Sequence, residues 1–387
     1  MELVNIAELG ISLGGKIGSG AFGLVRRGEI EATGQMVAIK LEDATEKRPL
    51  LPREASLMQE LQGGPGIPQV YGTGTLPSHH YLVLQLLDKS LFDRFRDCGG
   101  RLSLPTVIKC AEQILASFQF LHQASIVHRD VKPENFLFAP SPDSHQLYVI
   151  DFGLARKVAQ GLLFKPYHSG VTQVVGTLPF VSVNLHLGAA ASFRDDLESI
   201  AYLLIYLLQG GLPWYGPGIH KLTEKQTRES KQAVNSFDLC RNLPVEFEML
   251  LKYSKCLTPE DIPDYFVLGK AFAAVANRLQ IDPKNCIMWT SEVKHRRRSK
   301  SEKSKGTDKS EGTSQTSSYY TPSTKLGKRA VSKGRKGGRK RTRVQAFKGF
   351  NGHKAEIMEK VVGTEEECGA EGKEEAGTVD RSSCALF

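Results

Sequence analysis

Several things are missing from this sequence, and each absence narrows what the chain can be. None of its seven cysteines, at positions 98, 110, 240, 256, 286, 368 and 384, forms a CxxC pair or a metal-ligand spacing. An odd, scattered set of this kind argues against a disulfide framework and for free thiols in a reducing compartment. The longest apolar run, "AYLLIYLL" (Ala201–Leu208), has eight residues, whereas a bilayer span needs about 20. It reads as a core helix. Residues 1–14 have no basic start leading into an apolar stretch, so no secretory leader is expected. No internal repeat is visible.

Net charge is also small over most of the chain, although the formal total is +9. Residues 291–350 hold 19 Lys or Arg against 4 Asp or Glu, and residues 351–387 hold 4 against 9. The first 290 residues are left close to neutral, so basicity belongs to a tail. The 40% hydrophobic content suffices for a substantial core, and 387 residues allow one large two-lobed domain or two ordinary ones.

What is present begins with strands. "GGKIGSGAFGLVRRGEI" and "QMVAIKLED" set β-branched residues around turn glycines, and "HYLVLQLL" is a third apolar strand. Between them, "PREASLMQELQGG" has helical spacing and stops at Gly63-Gly64. From about residue 91 helices take over. "SLPTVIKCAEQILASFQFLHQA" opens on a Ser cap with Pro near the first turn, then runs apolar at i, i+3 and i+4. "DDLESIAYLLIYLLQGG" has acids at its start, which suit the helix dipole, and Gly at its end. The pattern predicts an α+β, bilobal domain over residues 1–290. A small β-rich lobe with one helix would occupy about 1–85, and a large helical lobe about 91–290. Beyond Trp289, "HRRRSKSEKSKGTDKSEGTSQTSSYYTPSTK" is polar and aromatic-poor. Residues 291–387 are therefore expected to form a disordered tail, basic and then acidic.

Inside the helical half, "VHRDVKPENFLF" (Val127–Phe138) places Asp130, Lys132 and Asn135 within an apolar run. Unpaired charge is costly away from water, so chemistry is the reason to look for. Four signals occur in order. "GSGAFGLV" spaces Gly18, Gly20 and Gly23 as G-x-G-x-x-G before Val25. Alone it fits a plain hairpin as well as a loop folded over phosphates; the strand that follows argues against a dinucleotide site. "VAIK" ends on Lys40, whose ammonium either snorkels to the surface or grips the α- and β-phosphates, with Glu54 of "PREASLM" holding it in place. In "HRDVKPEN", Asp130 would accept the proton of an incoming hydroxyl. Lys132 would neutralise the phosphoryl group in flight, and Asn135 would hold Mg²⁺. "DFG" brings Asp151 to the metal, with Phe152 packing inward and the strand "LYVI" delivering it. Each signal has an innocent alternative, but HRD-x-K-x-x-N followed by DFG is highly specific and the order is the required one. The chemistry is phosphoryl transfer from ATP.

These motifs resemble those of the eukaryotic protein kinases, and the sequence around them is similar to the casein kinase I group. After DFG the chain reads "GTLPFVSVNLHLG", with Ser182-Val183-Asn184 where most kinases have Ala-Pro-Glu. "SVN.HLG", "RDDLES" (Arg194–Ser199), "LPW" (Leu212–Trp214), "LQGGPGIPQVYG" and "HRDVKPENFL" carry the likeness, from about residue 9 to Trp289. The resemblance implies a Ser/Thr protein kinase that uses ATP and Mg²⁺ and acts on protein substrates, in an acidic context. It assigns the nucleotide to Ile17, Gly18, Ser19, Gly20, Ala21, Phe22, Gly23 and Val25, and to Ala38, Lys40 and Glu54. Leu84 would guard the rear of the pocket, Leu86 and Leu87 would offer backbone bonds to adenine, and Ser90 and Asp93 would lie at the ribose edge. Asp196 would anchor the catalytic loop from beneath. Two departures stand out. Pro179 replaces the group's usual Arg in a basic pocket for a substrate phosphate, with Lys231 of "ESKQ" as another candidate member. Losing a guanidinium loses bidentate phosphate recognition, so a weaker preference for pre-phosphorylated substrates is expected. "LLDKS" replaces the hinge Gly-Pro, so Asp88 and Lys89 change the pocket mouth. The alternative is a kinase-like binding module, targeted by the basic tail, that has lost catalysis. Lys40, Glu54, Asp130, Lys132, Asn135 and Asp151 are all present, which favours activity.

The last four residues, "CALF", fit a C-a-a-X prenylation box on Cys384, with Phe pointing to geranylgeranyl; a chance cysteine is the plain alternative. One lipid chain anchors poorly. "KRAVSKGRKGGRKRTR" (Lys328–Arg343) would add attraction to an anionic membrane surface, each basic residue contributing about 1 kcal/mol. That cluster and "KHRRRSK" (Lys294–Lys300) equally suit nuclear import or nonspecific nucleic-acid contact. The expectation is a cytoplasmic kinase associated with membranes through its tail, with the nucleus ranked second.

Overall fold

The computed structural model describes residues 10–20, 23–141, 144–158 and 174–282. Ala21 and Phe22, Trp289, Cys384, both basic clusters and the acidic run lie outside the described residues.

Alternation builds the small lobe. Strands β1 (Ile11–Gly20), β2 (Gly23–Ile30) and β3 (Gln35–Asp43) form an antiparallel meander. Helix α1 (Leu51–Glu60) follows, and β4 (Val70–Thr75) and β5 (His79–Gln85) complete a sheet ordered β1-β2-β3-β5-β4. In β3, Val37, Ile39 and Leu41 bury against Ile11 and Val83 on one face. The two-residue period then turns Ala38 and Lys40 to the opposite face. Strand β4 is not signalled by its sequence, "VYGTGT", whose glycines suggest a turn. It is made a strand by its partner, pairing with β5 from Val70↔Leu84 to Thr75↔His80.

Helix α1 has no side-chain cap of its own at Leu50. The Glu42 carboxylate of β3 supplies one, accepting from the amides of Leu50 (3.0 Å) and Leu51 (2.8 Å). The helix ends at Leu61, two residues before Gly63 turns the chain at φ +82°.

The large lobe begins with α2 (Leu91–Asp97) and α3 (Leu104–Gln123). Four short strands come next: β6 (Ile126–Val127), β7 (Phe136–Phe138), β8 (Leu147–Val149) and β9 (Arg156–Lys157). Helices α4 (Val183–His186), α5 (Phe193–Gln209), α6 (Glu224–Ala233), α7 (Ser236–Leu239), α8 (Val245–Cys256) and α9 (Tyr265–Arg278) complete it. Ser103 caps α3 by accepting from the Thr106 amide. Ser192 and Asp195 form a capping box on α5, which stops at Gly210 in the left-handed conformation. The run "AYLLIYLL" lies in α5 and is buried from Ala201 to Leu207. It is a core helix, and among the described residues no helix is long and apolar enough to cross a membrane.

The β7–β8 hairpin positions the chemistry. Asn135 immediately precedes β7, Asp151 follows β8, and the Ile150 amide bonds to the Asn135 carbonyl at 2.9 Å. The linker between lobes is pinned to the same hairpin, with Asp88 N donating to Phe138 O and Phe138 N to Lys89 O.

Candidate active site

A cavity of about 210 Å³ lies between the sheet and the helical lobe. Ile17, Gly23, Val25 and Ala38 line its roof, Leu84, Leu86 and Leu87 its rear and hinge side, and Leu137 and Ile150 its floor. Lys40, Glu54, Gln85, Asn135 and Asp151 are its charged or polar lining residues. An apolar slot with a few polar groups at hand suits a flat base joined to phosphates. The backbones of Leu86 and Leu87 take part in none of the turn and linker hydrogen bonds found among the described residues, which suits an adenine edge.

The two glycines that can be compared differ in what they do. Gly23 has φ +119°, and a Cβ there would sit 2.1 Å from the Leu41 carbonyl oxygen, so only glycine fits. At Gly18 a Cβ would make ordinary contact with Val25 at 3.7 Å. Packing within the chain does not demand that glycine; close approach of a ligand would. Ser19 and Gly20 end β1.

Lys40 is the centre of the charged end. Its Nζ donates to Glu54 Oε1 (2.9 Å) and Oε2 (2.6 Å) and to Asp151 Oδ1 (3.0 Å). Burial pushes the Lys40 pKa down, but Glu54 and Asp151 more than offset this and the ammonium is held above its ordinary value. Burial works against the Asp151 carboxylate too, yet Lys40 keeps its pKa below the usual range. Asp151 has φ +65°, a left-handed conformation that a non-glycine residue keeps only where its surroundings hold it.

The catalytic-loop residues converge on Asp130. Its Oδ2 accepts from Lys132 Nζ (2.5 Å) and Asn135 Nδ2 (3.2 Å), and its Oδ1 accepts from Thr177 Oγ1 (2.6 Å). Asn135 uses its Nδ2 on Asp130, which leaves Oδ1 for another partner. The loop is held from below by Asp196, 2% exposed, which accepts from the amides of His128 (2.7 Å) and Arg129 (2.9 Å). Among the described residues no group of three His, Cys, Asp or Glu is placed to hold a metal ion. A hard cation between Asn135 and Asp151 would complete its shell with phosphate and water oxygens, as Mg²⁺ commonly does.

The profile of the protein kinase domain matches residues 11–263. The chain belongs to the protein kinase family. The kinase is a phosphotransferase that takes ATP and acts on protein substrates, and the family typically works with a divalent metal.

Several residues sit where sequence reasoning did not look. Thr177 bonds Asp130 directly, and Pro68, Gln85, Leu137 and Ile150 line the cleft. Arg53 and Arg129 bond the carbonyls of Ala155 (3.0 Å) and Leu154 (2.6 Å), fastening the chain just after DFG. Ser90 and Asp93 are not among the lining residues; they form the capping box of α2 with each other, Ser90 Oγ donating to Asp93 Oδ2 at 2.6 Å. The expectation for Lys231 needs correction. It is 1% exposed and its ammonium is engaged with backbone carbonyls inside the lobe, so it offers nothing to a substrate phosphate.

Proposed function

We propose that this kinase is of the casein kinase I type and transfers the ATP γ-phosphate to Ser and Thr hydroxyls, with Mg²⁺ as its cation. One observation carries the hydroxyl preference. The 177–181 turn, against which a substrate backbone would lie, is one hydrogen bond from the base, Thr177 to Asp130 at 2.6 Å. A backbone held that close brings a one-carbon hydroxyl to Asp130, whereas a phenol carries its oxygen too far. The sequence between Gly176 and Gly188, with Ser182-Val183-Asn184, supports the group.

Each side chain then has a task. Lys40, fixed by Glu54, holds the phosphates. Asp130 accepts the acceptor proton, and Lys132 offsets charge on the phosphoryl oxygens as they move. Asn135 Oδ1 and Asp151 would hold the cation, which when bound neutralises phosphate charge. With Pro179 lacking a donor and Lys231 buried, neither position supports a pocket for a priming phosphate. Turnover of matched Ser, Thr and Tyr peptides, each with neutral, acidic and pre-phosphorylated flanks, tests the proposal. Equal use of Tyr, or a large advantage for the primed peptide, rejects it.

A further inference from the structure

Lys231 belongs to no part of the phosphotransfer cleft, yet its ammonium is directed at a single object. From the buried face of α6, Nζ donates to the carbonyls of Leu178 (2.8 Å) and Val181 (2.5 Å). It lies 5.1 Å and 5.4 Å from the ring centres of Tyr202 and Trp214. Trp214 Nε1 donates to the carbonyl between them, that of Pro179, at 2.8 Å. Two side chains thus hold three of the four carbonyls of residues 178–181. The residue that opens this turn is Thr177, with its bond to Asp130.

The arrangement is a costly one. Among the described residues no carboxylate touches this buried ammonium; Glu198 favours its charge only from a distance, and burial brings its pKa down to about 7. The third group at Nζ is His186 Nε2, 3.3 Å away. Burial, assisted by the charge on Lys231, lowers His186 to about 4, so at neutral pH it is an uncharged ring. An apolar side chain would fill the same space beneath Tyr202 and Trp214 without that cost. What it would not do is fix the directions of the Leu178 and Val181 carbonyls.

We propose that Lys231, with Trp214, is a positioning residue for phosphotransfer: it sets the 177–181 turn so that Thr177 holds Asp130 and the acceptor peptide meets the base. This rests on the kinase activity assigned above, so peptide phosphorylation by the unmodified chain is read first. No transfer there sinks the activity; transfer with the results below judges the lysine alone.

The test compares Lys231→Met, which keeps the length and removes the donors, with Trp214→Phe, which keeps a ring and removes Nε1. Each is combined with Thr177→Ala in a double-mutant cycle. Thermal midpoint, Kd for a nonhydrolysable ATP analogue, and kcat and KM for peptide are measured. The expected result is a folded Lys231→Met chain whose nucleotide Kd stays within about twofold while kcat/KM for peptide falls about tenfold or more. That loss should largely vanish in the Thr177→Ala background, because both changes break one linkage. Unchanged peptide kinetics, or losses that multiply across the cycle, overturn the proposal. Should Lys231→Met fail to fold, Trp214→Phe decides in the same way: a smaller loss, absent in the Thr177→Ala background, upholds it, and no loss or a multiplying one overturns it.

Discussion

Replacing Asp196 with Asn asks how strongly the catalytic loop is held. The carboxylate accepts two backbone N–H bonds, from His128 and Arg129, and one from His122 Nε2 at 3.2 Å. Tyr265 Oη lies 2.7 Å from His122 Nδ1 and donates to it, which leaves the Nε2 proton for Asp196. Burial by itself would oppose ionisation, but these donors keep the carboxyl below its ordinary pKa. An amide of the same shape offers one oxygen, and its NH₂ must face a donor that has lost its acceptor. A hydrogen bond to a charged group contributes about 1.5–3 kcal/mol, and a buried donor left unmatched costs about 1–3 kcal/mol. Together these predict a loss of about 3–5 kcal/mol. At about 2–4 °C per kcal/mol for a domain of this size, Tm should fall by roughly 6–20 °C. Calorimetry at neutral pH gives the value directly. The gap between the two proteins should narrow in acid. A depressed carboxylate stabilises above its unfolded pKa and loses that contribution as pH falls through the folded one. Arg129, at φ +69°, adjoins Asp130, so kcat should fall more than nucleotide affinity. A variant that melts within about 2 °C of the original and keeps its kcat refutes the reasoning.

The neighbouring acid should behave in the opposite sense. Burial, only partly offset by Ser182 and Ser192, raises Asp195 from 3.8 to about 6. Between those values the folded state keeps a proton that the unfolded chain has released, so stability declines as pH rises, by about 3 kcal/mol in total. Urea titrations across that window should show a smaller decline in Asp195→Asn. Gly23→Ala should cost at least about 1–3 kcal/mol from backbone strain alone, whereas Gly18→Ala should leave Tm unchanged and raise KM for ATP. Asp130→Asn should lower kcat about 10²–10⁴-fold while ATP affinity, read by titration with a nonhydrolysable analogue, stays close to the original.

The residues proposed to handle phosphate were legible because the order and spacing of their motifs are distinctive. Lys40 bonds both Glu54 and Asp151, Asn135 bonds Asp130, and Asn135 and Asp151 line the same cleft. What stayed hidden depends on partners distant in the chain. Thr177 acquires its role from a turn fastened by residues 37 and 54 positions away, Trp214 and Lys231. Lys231 reads as a surface residue because Ser230 and Gln232 flank it. Its burial follows from α6 presenting only Thr227 and Lys231, one helical turn apart, to the interior. Ser90 and Asp93 did carry a readable signal: Ser-x-x-Asp before an apolar turn is a helix cap. The edge strand β4 had none, since pairing with β5 makes it a strand.

Strand β3 carries Lys40 and Glu42 two residues apart, one bonded to the Glu54 carboxylate, the other to the first amides of the same helix. Moored twice to a single strand, α1 has no free swing. A displacement that carries the whole helix away from β3 would rupture the ion pair and strip the helix of its cap together. A kinase built this way rests with its Lys40–Glu54 pair already made.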